Sequence, residues 1–431
     1  MVKARTARTA RTRTLGVSGA LALALTLTAC GGHDDAASKK HGTVALAGKK
    51  GATASRPIPE GKGSKLPSDF NGDGAPDLVL DSLAHRGLGD DPGIGIVYGR
   101  KGHGLDPATR QLLSPAKYAA PTKGEIPATF GSESACDLDR DGYSDLVVST
   151  DPPYDGQGTP PVPVQILFGS PTGISGKGVT LRIPAKARFG NDWADQPVCG
   201  DFDGDGRNDL VVHASGGRLT FLPGPFTRTG APRGTARLVQ ADGNVPAGPA
   251  ADLDGDGADE VLVRAHTGSA RSALVRGGPD GPGRPGAAYP AGLDVAFGRF
   301  TGGARAAVLT GTGVTRYTAQ GATGGPVKAK GSALDAADLD GDGRDDLVVS
   351  GGDGDPVRLV RGGATAVSGS PGTGRVVAVA DFDGDGRDDL VVQRAAADGD
   401  TDKVTVLTGA RTASLVAGAP ATSFSSTVFT G

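Results

Sequence analysis

The sequence predicts an all-β fold, a seven-bladed β-propeller of four-stranded antiparallel blades with calcium loops. Three observations carry that expectation. A nine-residue Asp/Gly loop recurs along the chain, each copy opens directly onto a short run of branched apolar residues, and no intervening stretch keeps the periodicity of an amphipathic helix.

The clearest copy is Asp381-Phe-Asp-Gly-Asp-Gly-Arg-Asp-Asp389, followed by Leu390-Val391-Val392. Carboxylates at positions 1, 3, 5 and 9 with glycines at 4 and 6 let short oxygen-bearing side chains converge on one hard cation while the backbone turns sharply. An EF-hand would instead carry Glu at position 12 and enter a helix; here position 12 is Val392.

Six complete copies give the candidate side-chain ligands. They are Asp69, Asn71, Asp73 and Asp77; Asp137, Asp139, Asp141 and Asp145; Asp201, Asp203, Asp205 and Asp209; Asp252, Asp254, Asp256 and Glu260; Asp338, Asp340, Asp342 and Asp346; and Asp381, Asp383, Asp385 and Asp389. Position 7 would offer only its backbone carbonyl, which explains why it varies freely as Ala75, Tyr143, Arg207, Ala258, Arg344 and Arg387. Asn71 and Glu260 depart from the pattern and predict weaker sites. A seventh copy, Arg299 to Ala307, keeps Phe300 and the exit Val308-Leu309 but no carboxylate.

Start positions 69, 137, 201, 252, 299, 338 and 381 lie 39 to 68 residues apart, which suggests seven modules. Each offers about four strands, for example Leu146-Val147-Val148 after a loop and Val164 to Phe168 further on. Four short strands cannot bury both faces alone, whereas sheets arranged radially cover one another and leave few edges. The expected cofactor is structural Ca²⁺, up to six ions, with dissociation constants of about 10⁻⁴ to 10⁻³ M as in extracellular modules.

Residues 1–29 read as a signal peptide: Lys3, Arg5, Arg8, Arg11 and Arg13 precede an apolar run from Leu15 to Leu27, too short to span a bilayer. Leu27-Thr28-Ala29-Cys30 resembles a bacterial lipobox, which implies lipid attachment at Cys30. Residues 30–57, poor in large apolar groups, read as a flexible tether, and 58–431 as the propeller. The expected location is exported, lipid-anchored to the outer face of the bacterial cell membrane or cell surface.

The full chain carries a net charge of −3, and removal of the five cations in residues 1–29 leaves −8. That acidity is there for metal to neutralise, and no basic patch suggests nucleic acid. Cys136 and Cys199 precede consecutive loops; in an oxidising compartment they pair as a disulfide or remain two buried thiols.

Enzyme signatures are scarce. The chain has no Gly-x-Ser-x-Gly elbow and no His-Glu-x-x-His, and its histidines at 33, 41, 85, 103, 213 and 266 are scattered, the last two placed after the second strands of their modules. Tyr154 and Trp193, framed by acids, are candidate ligand contacts, or, for Trp193, a plug between blades.

Phe130-Gly131-Ser132, the Asp-x-Asp-Gly-Asp-Gly-x-x-Asp-Leu-Val-Val loops and the Val164 to Phe168 strand closing on Gly169 resemble the FG-GAP (VCBS-type) repeat of the integrin α-subunit propeller. The resemblance implies seven blades in which each loop joins the innermost strand to the second. The family's Gly-Ala-Pro element is mostly missing: Ser149-Thr150 follows Val148, and Gln393-Arg394 follows Val392. The expected function is a monomeric binding module for an extracellular protein or glycan. Alternatives are a carbohydrate-active lyase or hydrolase on the propeller, or a structural envelope protein.

Overall fold

The computed structural model describes residues 55–84, 91–122, 124–151, 163–188, 196–214, 216–241, 243, 245–264, 271–396 and 401–430. The signal segment, Cys30, nearly all of the tether, His33, His41, His85, Tyr154, Trp193 and His266 lie outside these residues.

Seven antiparallel sheets follow one another along the chain as the seven blades of a propeller, and within each the strands neighbour in sequence order. Among the described residues five sheets have four strands and two, the first and sixth, have three. Blade 2 shows the full unit: Thr129–Cys136, Asp145–Asp151, Gln165–Leu167 and Val179–Thr180. In blade 6 the fourth place is filled irregularly, through bridges from Pro356 to Thr373 and from Leu359 to Gly369. Among the described residues blade 1 (Leu78–Leu80, Ile94–Val97, Arg110–Leu113) instead has no strand preceding the loop.

Strand alternation decides how the blades pack. Leu146 and Val148 face the cluster shared with blade 1, and Val147 faces the one shared with blade 3. The same division recurs at Leu210, Val211 and Val212, and at Leu390, Val391 and Val392. One apolar cluster fills each of the seven interfaces, including that between blades 7 and 1, so the ring closes. Position 2 of each loop feeds these clusters: Phe70, Leu138, Phe202, Leu339 and Phe382 are fully buried.

Among the described residues no strand is exchanged between the first and last blades. All four strands of blade 7 come from 375–424, and the C-terminal turn Ser426–Val428 docks on blade 1. There the Ala84 N–H donates to Ser426 Oγ at 2.7 Å and Arg110 Nε donates to the Val428 carbonyl at 3.0 Å. Phe429 packs over Gly95, where a Cβ would lie 2.8 Å from the ring.

Two four-residue helical turns, Pro115–Tyr118 and Ala185–Arg188, lie in the connections between blades and leave the fold all-β, as expected. One expectation needs correction. His213 lies inside the second strand of blade 3, opposite Leu219, and not after it. Cys136 and Cys199 are bonded, with Cα atoms 6.5 Å apart, and join the first strands of blades 2 and 3. No helix among the described residues is long and apolar enough to cross a membrane.

Candidate metal loops

In blades 2, 3, 4, 6 and 7 the loop is the hairpin connection between first and second strands, and position 9 is the first residue of the second. Position 1 organises the turn. In the third loop Asp201 Oδ1 accepts the Asp205 N–H at 3.0 Å and Oδ2 accepts the Gly206 N–H at 2.8 Å. Asp381 repeats this with Asp385 and Gly386 at 3.0 and 2.9 Å. The turn needs left-handed backbone at positions 4 and 6, supplied by Gly204 (φ 72°) and Gly206 (φ 80°). In the second loop Arg140 takes that conformation at position 4 (φ 65°), a strain of about 1–2 kcal/mol for a residue with a Cβ.

Position 9 is a clamp as well as an oxygen donor. Asp389 Oδ2 accepts the Phe382 N–H at 3.2 Å and Oδ1 the Gly409 N–H at 3.2 Å, so one carboxylate ties the loop start to the end of the third strand. Asp77, Asp145, Asp209 and Asp346 do the same with Gly99, Gly169, Gly224 and Gly362. Burial pushes these acids up: Asp77 and Asp145 lie well above the carboxylate range, Asp209, Glu260 and Asp346 rise to about 7, and Asp389 to about 8. Neighbouring loop carboxylates raise them further, against the lowering effect of the backbone N–H groups.

Five loops bring three carboxylate groups within 4.8 Å of one another: Asp137, Asp139 and Asp145; Asp201, Asp203 and Asp209; Asp252, Asp254 and Glu260; Asp338, Asp340 and Asp342; and Asp381, Asp383 and Asp385. Four loop oxygens are buried without a hydrogen-bond partner: Asn71 Oδ1, Asp139 Oδ1, Asp340 Oδ1 and Glu260 Oε1. Three of them stand at position 3. A buried acceptor left unpaired costs about 1–3 kcal/mol, and a hard cation at the loop centre would remove that cost. The residues therefore fit a divalent cation held by oxygen.

Arginines share the carboxylates. Arg228 reaches from blade 3 to Asp139 and Asp141, Arg361 pairs with Asp340, Arg276 with Asp254 at 3.2 Å, and Arg207 with Asp205 at 2.6 Å. Arg228 was not legible as a partner, since it comes from a connection far in sequence from the loop it serves.

Position 8 is a functional position that composition alone did not reveal. Ser144, Asn208, Asp259, Asp345 and Asp388 each bond to the backbone of position 1 in the preceding blade. The signal was present: five short hydrogen-bonding residues at one position of the repeat.

Away from the loops, Asp81, Ser132, Arg375 and Gln393 surround a cavity of about 20 Å³ where blades 1, 2 and 7 meet, room for one water-sized molecule. Burial raises Asp81 to about 7, and Asp91 and Glu133 add to the shift, while the Ser132 N–H bond opposes it.

Residues 373–407, which hold the first three strands and the loop of blade 7, match the family model described as FG-GAP repeat. The chain is a β-propeller with an FG-GAP repeat in its seventh blade, and it resembles the propeller of integrin α subunits. It is 30% identical over 167 residues to integrin alpha-PS5 and 29% identical over 167 residues to integrin alpha-PS3, both of Drosophila melanogaster. Each match takes in 37% of this chain, and 15% and 14% of those relatives respectively. A phosphatidylinositol-glycan-specific phospholipase D of Rattus norvegicus is 32% identical over 162 residues, 36% of this chain and 18% of that protein. Among solved structures, that of BBS1N in complex with ARL6DN, soaked with mercury, has a TM-score of 0.47 at 14% identity, covering 85% of this chain and 96% of that one.

Proposed function

We propose that this propeller is an extracellular interaction module whose loops bind calcium as structural cement. The observation that carries the calcium reading is the set of buried loop oxygens without partners, three of them at position 3. Calcium would be held by the side chains at positions 1, 3, 5 and 9 and would supply charge neutralisation where several acids crowd together. The chain's own groups do the rest: position 1 shapes the turn, position 9 clamps the third strand, and position 8 ties each loop to the blade before it.

The integrin relatives support a binding role at the cell surface, for an extracellular protein or a glycan. In this reading Cys30 carries the lipid, and Cys30→Ser should move the protein from the detergent phase to the aqueous phase on Triton X-114 partition. The direct test of function is an array of glycans and envelope proteins probed with the chain in calcium and in EGTA. Calcium-dependent retention of a ligand supports the module; absence of any retained ligand in both conditions, with the protein folded, would refute it.

A further inference from the structure

Before blade 1 the described residues form no strand; residues 61–66 lie on the loops of blades 1 and 2. The Gly61 N–H donates to the Asn71 carbonyl at 3.1 Å, the Lys62 and Gly63 N–H groups both donate to the Gly72 carbonyl at 3.1 Å, and the Ser64 N–H donates to the Gly142 carbonyl at 2.7 Å. Ser144 Oγ then donates to the Leu66 carbonyl at 3.1 Å. The contact is tight: a Cβ on Gly61 would lie 2.1 Å from the Gly72 carbonyl carbon, and one on Gly72 would lie 2.7 Å from Gly63 Cα.

The first loop is the one whose position 3 is Asn, and the strap explains the choice. Asn71 Nδ2 donates to the Pro59 carbonyl at 2.8 Å, a bond no carboxylate could make. Its Oδ1, fully buried, has no partner. One amide therefore gives its donor to the strap and keeps a buried, unpaired acceptor within the loop. The strap also seals this loop: Asp69, Asn71 and Asp77 are all fully buried, whereas Asp252 at position 1 of the fourth loop is exposed.

We propose that residues 59–66 form a cation-dependent latch, in which a divalent cation on Asn71 Oδ1 locks the strap to the first two loops and its loss exposes the chain to cleavage after Lys62 and Lys65. The inference rests on the calcium reading above. Four consecutive backbone N–H groups of the docked strap are committed to loop carbonyls, so a protease, which needs extended substrate backbone, must wait for local opening. Both lysine side chains are exposed and ready for recognition once the backbone is free. Cleavage there would separate the propeller from everything N-terminal to it.

The test is trypsin digestion of the full chain in about 5 mM calcium or in EGTA, with cut sites assigned by mass spectrometry at a temperature where circular dichroism shows the fold intact. With site affinities of extracellular modules, calcium should slow cleavage after Lys62 and Lys65 by about 5- to 50-fold. Asn71→Asp keeps an oxygen for the ion and loses the donor to Pro59, so it should be cut quickly even in calcium. Gly61→Ala, which displaces the strap and leaves every loop side chain in place, should behave the same while retaining terbium luminescence. Equal cleavage of the wild type in both conditions, alongside a calcium-induced rise in Tm, would overturn the latch and leave calcium binding standing. Absence of both a Tm rise and terbium luminescence would overturn the calcium reading itself, and the latch with it.

Discussion

Asp259 holds the backbone of Asp201 from both sides: its N–H donates to the Asp201 carbonyl at 2.7 Å, and its carboxylate accepts the Asp201 N–H at 2.8 Å. Asp388 does the same to Asp338, and Asp345 to Arg299 in the loop without carboxylates. Loop start and neighbouring blade are thus stitched by position 8, whether or not a cation site is present.

Removing one stitch should therefore cost stability without touching a loop ligand. Asp259→Ala leaves the Asp201 N–H without its acceptor and is expected to lower unfolding free energy by about 1–3 kcal/mol. Asp259→Asn, which retains an acceptor oxygen, should lose less. Urea denaturation of the three proteins in saturating calcium measures the difference; equal midpoints would mean that water replaces the stitch.

Much of the fold was legible because its signals are local. The Leu-Val-Val exits announce strands buried on both faces, and Val147 and Leu146 do face opposite blades. The loop spacing announced seven modules and seven sheets followed. What stayed hidden depends on tertiary proximity: Arg228 on Asp139, the docking of Ser426 on Ala84, and the strap on Asn71 join residues whose sequence neighbours say nothing of the partner. The absent first strand of blade 1 could not be read either, since the loop at Asp69 looks like all the others.

Acidification should stabilise the calcium-free protein. The position 9 acids rise to about 7 at Asp209, Glu260 and Asp346 and about 8 at Asp389, against about 4 in the unfolded chain. A carboxyl whose folded value is raised binds its proton more tightly in the native state. Its contribution is full below about pH 4 and is lost as pH climbs through about 7 to 8. In EGTA, Tm should fall between pH 5 and about 8; in calcium, which holds the carboxylates ionised, the decline should flatten or reverse. A Tm in EGTA that rises with pH over this range would contradict the buried clamp.

The bond between Cys136 and Cys199 closes a separation of 63 residues and staples blade 2 to blade 3. In the loop-entropy account a closure of this length contributes about 4 kcal/mol, and native disulfides commonly 2–5 kcal/mol. The Cys136→Ser, Cys199→Ser double variant should show a correspondingly lower urea midpoint, and the wild type should gain two titratable thiols only after reduction. A midpoint matching the oxidised wild type would indicate that the interface between these blades is sufficient without the covalent link.

Phe300 separates the two jobs that a loop performs. It occupies position 2 of the copy without carboxylates, yet it is 4% exposed and packs with Ala296, Leu309 and Leu334 between blades 5 and 6, as Phe382 packs between blades 7 and 1. The aromatic persists where the ligands have gone because it fills an interface, and burial of a ring does not depend on a cation. Phe300→Ala should thus destabilise the protein by about 3–5 kcal/mol through the cavity it leaves. Calcium stoichiometry by isothermal titration should stay at the wild-type value, at most six. A change in stoichiometry with little loss of stability would assign the fifth blade a cation after all.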